Sequence, residues 1–280
     1  MKSNTIVVTG GNAGIGRAIA TELVRLRYHV VIVSRNAAKG KEACDTIKKV
    51  TGNPRVDLIE GDLGSIQSVK SIAQKILKNF PDVSVLINNA GIWPQKLEIN
   101  SDGLEMAFMV NHMAPLILSI MLYKQLKKNK PSRIVNVNAG LYVFGNVDIE
   151  KTPYGKDFGK LSTYMNTKLC NIYFTQKFSH IIENSGVTIN AVHPGVIRTN
   201  LGDSSGIMGL LLRILKRAWA EPEYGAQAPV WLAVSPDVEN INGKFFDRFT
   251  QKPYAKNALD TSLREKLWDL SLQLASLTFK

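Results

Sequence analysis

The residues with the clearest chemical potential open the chain. Thr9-Gly10-Gly11-Asn12-Ala13-Gly14-Ile15-Gly16 follows a short β-branched run, Thr5–Thr9, and leads into helical spacing at Ile15, Ile19, Leu23 and Leu26. A strand–turn–helix joint of this kind points unbonded backbone N–H groups and the positive end of a helix dipole at whatever lies beyond it, and pyrophosphate fits there. Gly10 permits the tight turn, Gly14 lets the backbone approach the phosphates, and Gly16 lets the helix pack close to the strand. With Asn12 and Ile15 they form a candidate dinucleotide site. The next β-branched run, Val30–Val33, ends in Ser34-Arg35-Asn36, without an acid. A free ribose commonly meets Asp or Glu at this point, whereas Arg35 can pair with a 2′-phosphate and Ser34 can donate to it. NADP(H) is therefore the expected cofactor, with Lys39 adding charge.

Those residues need a frame. Thr5–Thr9, Val30–Val33, Val56–Glu60, Val83–Asn88, Arg133–Asn138 and Val187–His193 read as strands, with Lys244–Phe246 as a seventh. Helical patterns fall at 15–26, 37–50, 66–77, about 104–128, and 162–184. Strands that are apolar throughout and alternate with helices predict a parallel sheet covered on both faces. Right-handed crossovers make it a doubly wound, Rossmann-type α/β domain spanning 1–280. Two stretches, Gly145–Gly159 and Gly202–Gly225, break the alternation and read as loops over a site rim, with a substrate lid around 200–225.

Composition narrows the class. Among 280 residues, 45% are hydrophobic and 21% charged, which excludes a disordered, collagenous or disulfide-scaffold chain. Lys plus Arg is 35 and Asp plus Glu is 23, a net charge of +12 that suits phosphate ligands, nucleic acid or anionic membranes. The lysine clusters at Lys124–Lys130 and Lys39–Lys49 lack interleaved aromatics, so they read as solvated faces and not as a nucleic-acid surface. Cys44 and Cys170 lie far apart with no CxxC pair, as expected of reduced thiols in a cytoplasmic protein. Met1-Lys2-Ser3-Asn4 leads straight into a strand, so no signal peptide is expected. The apolar runs Ala114–Leu122 and Ile207–Leu215 are shorter than the roughly 18 residues of a spanning helix, so no transmembrane anchor is expected. The four histidines show no metal spacing, and His193, at a strand end before Pro194, reads as structural.

Taken together, the ordered motifs resemble the short-chain dehydrogenase/reductase family. They are Gly10-x3-Gly14-x-Gly16, Asp62-Leu63, Asn88-Asn89-Ala90-Gly91, Asn111, Tyr164-x3-Lys168 and Pro194-Gly195, running from about Thr5 to Asn200. Ser132–Val137, Thr163–Asn171 and Val192-His193-Pro194-Gly195 are similar to the retinol-dehydrogenase-like subgroup, whose N-terminal membrane anchor is not expected here. The resemblance implies that Asp62 bonds the adenine amino group beside the Leu63 backbone. It implies that Asn89, Ala90 and Gly91 line the adenosine ribose side, while Asn88 holds the sheet through backbone contacts. Pro194, Gly195, Val196 and Thr199 would grip the nicotinamide carboxamide. A homo-oligomer is common in the family.

The resemblance also assigns the chemistry. Tyr164 and Lys168, at i and i+4, share one helical face. Carbonyl reduction needs a hydride on carbon and a proton on oxygen. Free Tyr has a pKa of about 10, and a nearby ammonium stabilises its phenolate. Tyr164 would exchange the proton, Lys168 would tune it and bind the nicotinamide ribose, and Asn111 would hold a water that relays protons to Lys168.

One departure stands out. Family members carry a Ser just after the fifth strand, and here that position falls on Ala139, or on Asn138 with a one-residue shift. Three readings stay open. In the first, Asn138, whose amide has two donors, or Tyr142 substitutes and the enzyme is active. In the second, the chain is an engineered inactive variant. In the third, it binds NADP or runs a reaction that needs no Ser. The apolar segment Ile207–Leu215, followed by Lys216, Arg217 and Trp219, favours a lipophilic aldehyde, ketone or alcohol, and also fits peripheral membrane contact.

Overall fold

The computed structural model describes residues 5–196 and 221–279. Among the described residues, eight strands form one sheet: β1 (Thr5–Thr9), β2 (His29–Ser34), β3 (Val56–Glu60), β4 (Val83–Asn88), β5 (Ser132–Val137), β6 (Val187–His193), β7 (Phe245–Asp247) and β8 (Thr250–Lys252). Their order is β3-β2-β1-β4-β5-β6-β7-β8. Every pairing is parallel except β7 with β8. The chain reverses its winding between β1 and β4, so the expected doubly wound sheet is present, with its crevice at the carboxyl ends of those strands.

The helices are α1 (Gly14–Arg25), α2 (Ala37–Thr51), α3 (Ile66–Asn79), α4 (Met106–Lys128), α5 (Lys160–Ile181), α6 (Pro222–Val234) and α7 (Thr261–Ala275). They cover both faces, which explains the uninterrupted β-branched runs: Ile6, Val8, Val30 and Ile32 pack beneath α1, α2 and α6, while Val7, Val31 and Val33 pack with α3, α4 and α5. By length and composition α4 is apolar enough to cross a membrane, with mean hydropathy 1.6, yet 83% of that window is buried inside the domain. Its apolarity belongs to the core.

Sequence reasoning missed β8, α6 and α7. Residues 221–234, at the end of the expected lid, begin a helix with Pro222 in its first turn. Asp260 caps α7 by accepting from the Leu263 amide at 2.9 Å, and α7 packs on α5 with a Lys177–Glu265 ion pair joining them. The segment 197–220, with the rest of the expected lid and Thr199, lies outside the described residues.

Candidate active site

Thr9 ties the two halves of the sheet together at the crevice. Its hydroxyl accepts from the amides of Asn89 and Ala90, both at 3.0 Å, and its carbonyl accepts from the Asn89 side chain at 2.9 Å. Gly10 takes φ +66° and Gly14 φ +52°, which turns the chain sharply into α1. A Cβ on Gly16 would stand 2.3 Å from the Gly10 carbonyl oxygen and 2.4 Å from Asn89 Nδ2. The third glycine thus serves the turn and the Asn89 clasp as well as the strand. Ala13 precedes α1 without a side-chain cap, so the first-turn amides are left to a ligand.

A cleft of about 890 Å³ runs from this turn to the carboxyl ends of β5 and β6. It gathers most of the expected residues: Gly10, Asn12, Gly14, Ile15, Gly16, Ser34, Arg35, Asp62, Leu63, Asn89, Ala90, Gly91, Asn138, Tyr164, Lys168, Pro194 and Gly195. Val196 is exposed beside it. The glycine cradle, which side chains would fill, and the uncapped helix start fit a dinucleotide.

At the β2 end, Arg35 is exposed in the cleft lining, without an ion-pair partner among the described residues. The Ser34 hydroxyl closes a local turn, donating to the Asn36 carbonyl at 3.0 Å and accepting from the Asn36 amide. One Asp62 oxygen accepts from the Gly64 amide at 3.0 Å, which leaves the other for a ligand. Asn88 pairs with Asn136 in the β4–β5 ladder, as expected, and its side chain adds a bond to Asn136 Oδ1 at 2.8 Å, with Asn136 donating onward to Thr175.

The opposite end holds the proton chemistry. Tyr164 and Lys168 are each only 5% exposed, and Lys168 Nζ lies 5.7 Å from the Tyr164 ring centroid. Nζ donates to the Val137 carbonyl at 3.1 Å. Burial lowers the Lys168 ammonium to about 8 and raises the Tyr164 phenol above its usual value. The ammonium sits toward the ring rather than bonding the hydroxyl, so burial dominates and the phenol keeps its proton. That state suits a proton donor.

Asn111 stands in a π turn, Met109–Met113, inside α4. Its Oδ1 accepts from the Ile92 amide at 2.8 Å, and its Nδ2 donates to the Ile92 carbonyl at 2.9 Å and to Thr167 Oγ1 at 3.0 Å. Its own carbonyl accepts from Asn171 at 3.0 Å. A Cβ on Gly91 would lie 3.2 Å from Asn111 Oδ1 and 3.4 Å from Lys168 Nζ, so the two groups flank that glycine. Asn111 therefore clasps the Gly91–Trp93 loop against the lysine.

The two expected Ser substitutes are engaged elsewhere. Asn138 Nδ2 donates to the Lys168 carbonyl at 3.1 Å and to Asn171 Oδ1 at 3.5 Å, while its Oδ1 accepts from the Ala139 amide at 2.7 Å. The Tyr142 hydroxyl accepts from the Ala255 amide at 3.1 Å, and its ring packs on Phe245. The first helps fix α5 and the second anchors the segment before α7. Ala139 lines the cleft and has no side-chain donor to offer.

Sequence reasoning also missed Trp93, whose indole stacks on Tyr164, and the cleft-facing position of His193. The signal for Trp93 was its place two residues after Gly91.

Comparison with known proteins agrees with this geometry. The short chain dehydrogenase family model matches residues 4–207. Mouse retinol dehydrogenase 14 is 37% identical over 97% of this chain and 85% of its own length. Mouse retinol dehydrogenase 13 is 35% identical over 98% of this chain and 84% of its own. A chloroplastic short-chain dehydrogenase from Brassica napus, TIC 32 A, is 32% identical over 98% and 89% of the two chains. A crystal structure of an uncharacterized Mycobacterium paratuberculosis protein superposes with TM-score 0.79 at 25% identity, covering 99% of this chain and 94% of that one. The chain belongs to the short-chain dehydrogenase family and is a retinol-dehydrogenase-like member of it.

Proposed function

We propose that the protein is an NADP(H)-dependent oxidoreductase that reduces a lipophilic aldehyde or ketone, or oxidises the matching alcohol. The observation that carries this reading is the convergence of Tyr164 and Lys168 with the glycine cradle in a single cleft. The exposed Arg35, with no acid at the end of β2, supports NADP(H) over NAD(H). The indole wall beside Tyr164 supports a lipophilic substrate, as does similarity to proteins named retinol dehydrogenases.

A bound reduced nicotinamide supplies the hydride. Gly10, Gly14 and the α1 amides hold the pyrophosphate, and Arg35 pairs with the 2′-phosphate. Lys168 binds the nicotinamide ribose and places positive charge beside the phenol. Tyr164 delivers its proton to the carbonyl oxygen. Trp93 keeps water from the phenol.

A nicotinamide-binding protein without carbonyl turnover is the second reading, favoured by the methyl group of Ala139. Fluorescence titration with NADPH and NADH, followed by an aldehyde and ketone panel, tests both. Tighter binding of NADPH, with turnover of apolar carbonyls, is expected. Tighter binding of NADH contradicts the role given to Arg35, and binding without any turnover favours the second reading.

A further inference from the structure

Ala139, which lines the cleft, cannot supply the side-chain hydroxyl that the family resemblance implies at this position, and the Asn138 amide and Tyr142 hydroxyl are bonded elsewhere. A third polar side chain lines the same cleft. His193 ends β6, whose neighbour β5 leads directly to Ala139, and the Asn138 amide holds the two strands together at the Val192 carbonyl, 2.7 Å away. The imidazole edge lies over the turn after Ala139: a Cβ on Gly140 would stand 3.5 Å from its Cδ2 and 3.7 Å from its Nε2.

The ring Nδ1 is buried with no hydrogen-bond partner among the described residues, while the Nε2 edge faces the Gly140 turn. A neutral imidazole carries one proton. On Nδ1 that proton would be a buried donor without an acceptor, which native structures avoid more strictly than an unfilled lone pair. The proton therefore belongs on Nε2, and Nδ1 buries only a lone pair.

We infer that His193 is a catalytic residue whose Nε2–H donates a hydrogen bond to the substrate carbonyl oxygen, in place of a hydroxyl at position 139. The inference rests on the carbonyl-reductase reading above. In the reduction, the carbonyl carbon gains the hydride from the cofactor and the oxygen gains the proton of Tyr164. His193 keeps its proton and stabilises the charge that builds on oxygen between those events. The charged groups around it are Lys168 on α5 and Asp247 and Arg248 at the end of β7. Burial, with the Lys168 and Arg248 cations, holds the ring below its usual pKa, against the pull of Asp247, so it stays neutral while it donates.

His193→Leu, His193→Gln and His193→Leu/Ala139→Ser variants test this, alongside the parent chain. His193→Leu is expected to lower kcat about 10²-fold, with NADPH affinity and thermal midpoint unchanged. His193→Gln, which keeps an N–H donor, is expected to stay within about 10-fold of the parent, and the added serine to recover most of the loss. Nitrogen-15 NMR of the cofactor-free protein is expected to show the proton on Nε2. Parent-like kcat in His193→Leu, failure of Ala139→Ser to recover it, or a proton on Nδ1 overturns the inference. Absence of turnover in the parent chain overturns the reading beneath it as well, whereas parental turnover that survives His193→Leu overturns the inference alone.

Discussion

The indole of Trp93 lies flat on the phenol of Tyr164, with ring centroids 5.0 Å apart and planes 11° from parallel. The pair makes one continuous apolar wall with a single acidic proton at its edge. Stacking of this kind adds about 0.5–1.5 kcal/mol beyond the area it buries. Trp93→Ala is expected to raise KM for apolar carbonyls several-fold and to let water reach the phenol. Steady-state kinetics on a series of aldehydes of rising chain length checks this, and an unchanged KM across the series contradicts it.

Lys168 gives the reaction a pH limit. Burial lowers its ammonium to about 8, so the cation is present below that pH and lost above it. The kcat/KM for NADPH reports the free protein. It is expected to fall as pH rises through about 8, because the lost charge no longer supports the ribose and the phenol. A pH profile of the parent beside Lys168→Met tests this: the variant is expected to be slow at every pH and to lack that limb.

Arg35 is the expected selector of cofactor. Loss of a charge-assisted contact costs about 1.5–3 kcal/mol, which corresponds to roughly 10–100-fold in affinity. Arg35→Asp is expected to weaken NADPH by that factor while leaving NADH equal or tighter. Equilibrium titration reads both, and equal losses for the two cofactors contradict the assignment.

Much of this arrangement is legible in the sequence, for physical reasons. A sheet buried on both faces leaves unbroken runs such as Val30–Val33, and the turn after β1 needs glycines that few other residues replace. β8 is three residues long, polar and exposed, so it carries no hydrophobic signal. α7 carried a signal in the Asp260 cap and the leucine spacing that follows it. The Asn138 and Tyr142 side chains illustrate a different limit. Both lie within three residues of Ala139 in sequence, but their partners, Lys168 and Ala255, come from distant segments, and only the folded chain decides which donors remain free.

Glu105 makes a separate prediction about stability. It is fully buried and caps the start of α4, with Oε2 accepting from the Phe108 amide at 2.8 Å and Oε1 lacking a partner among the described residues. Burial raises its carboxyl above the usual 4.5, and Asp157 and Glu98 add to that shift. The native state therefore holds this proton more tightly than the unfolded chain. Its stabilising contribution is full below 4.5 and is lost as pH rises through the raised value. Thermal melts of the parent are expected to show that decline, and Glu105→Gln, neutral at every pH, is expected to flatten it. A parallel decline in both proteins contradicts the assignment.

Hydride and proton are expected to meet on one carbonyl beside Tyr164. Incubating the protein with an apolar aldehyde and NADPH deuterated at its reactive ring carbon, then weighing the alcohol by mass spectrometry, tests it directly. Deuterium on the carbinol carbon with the parent chain, and none with Tyr164→Phe despite retained NADPH binding, is the expected result. An unlabelled product, or equal labelling by Tyr164→Phe, contradicts it.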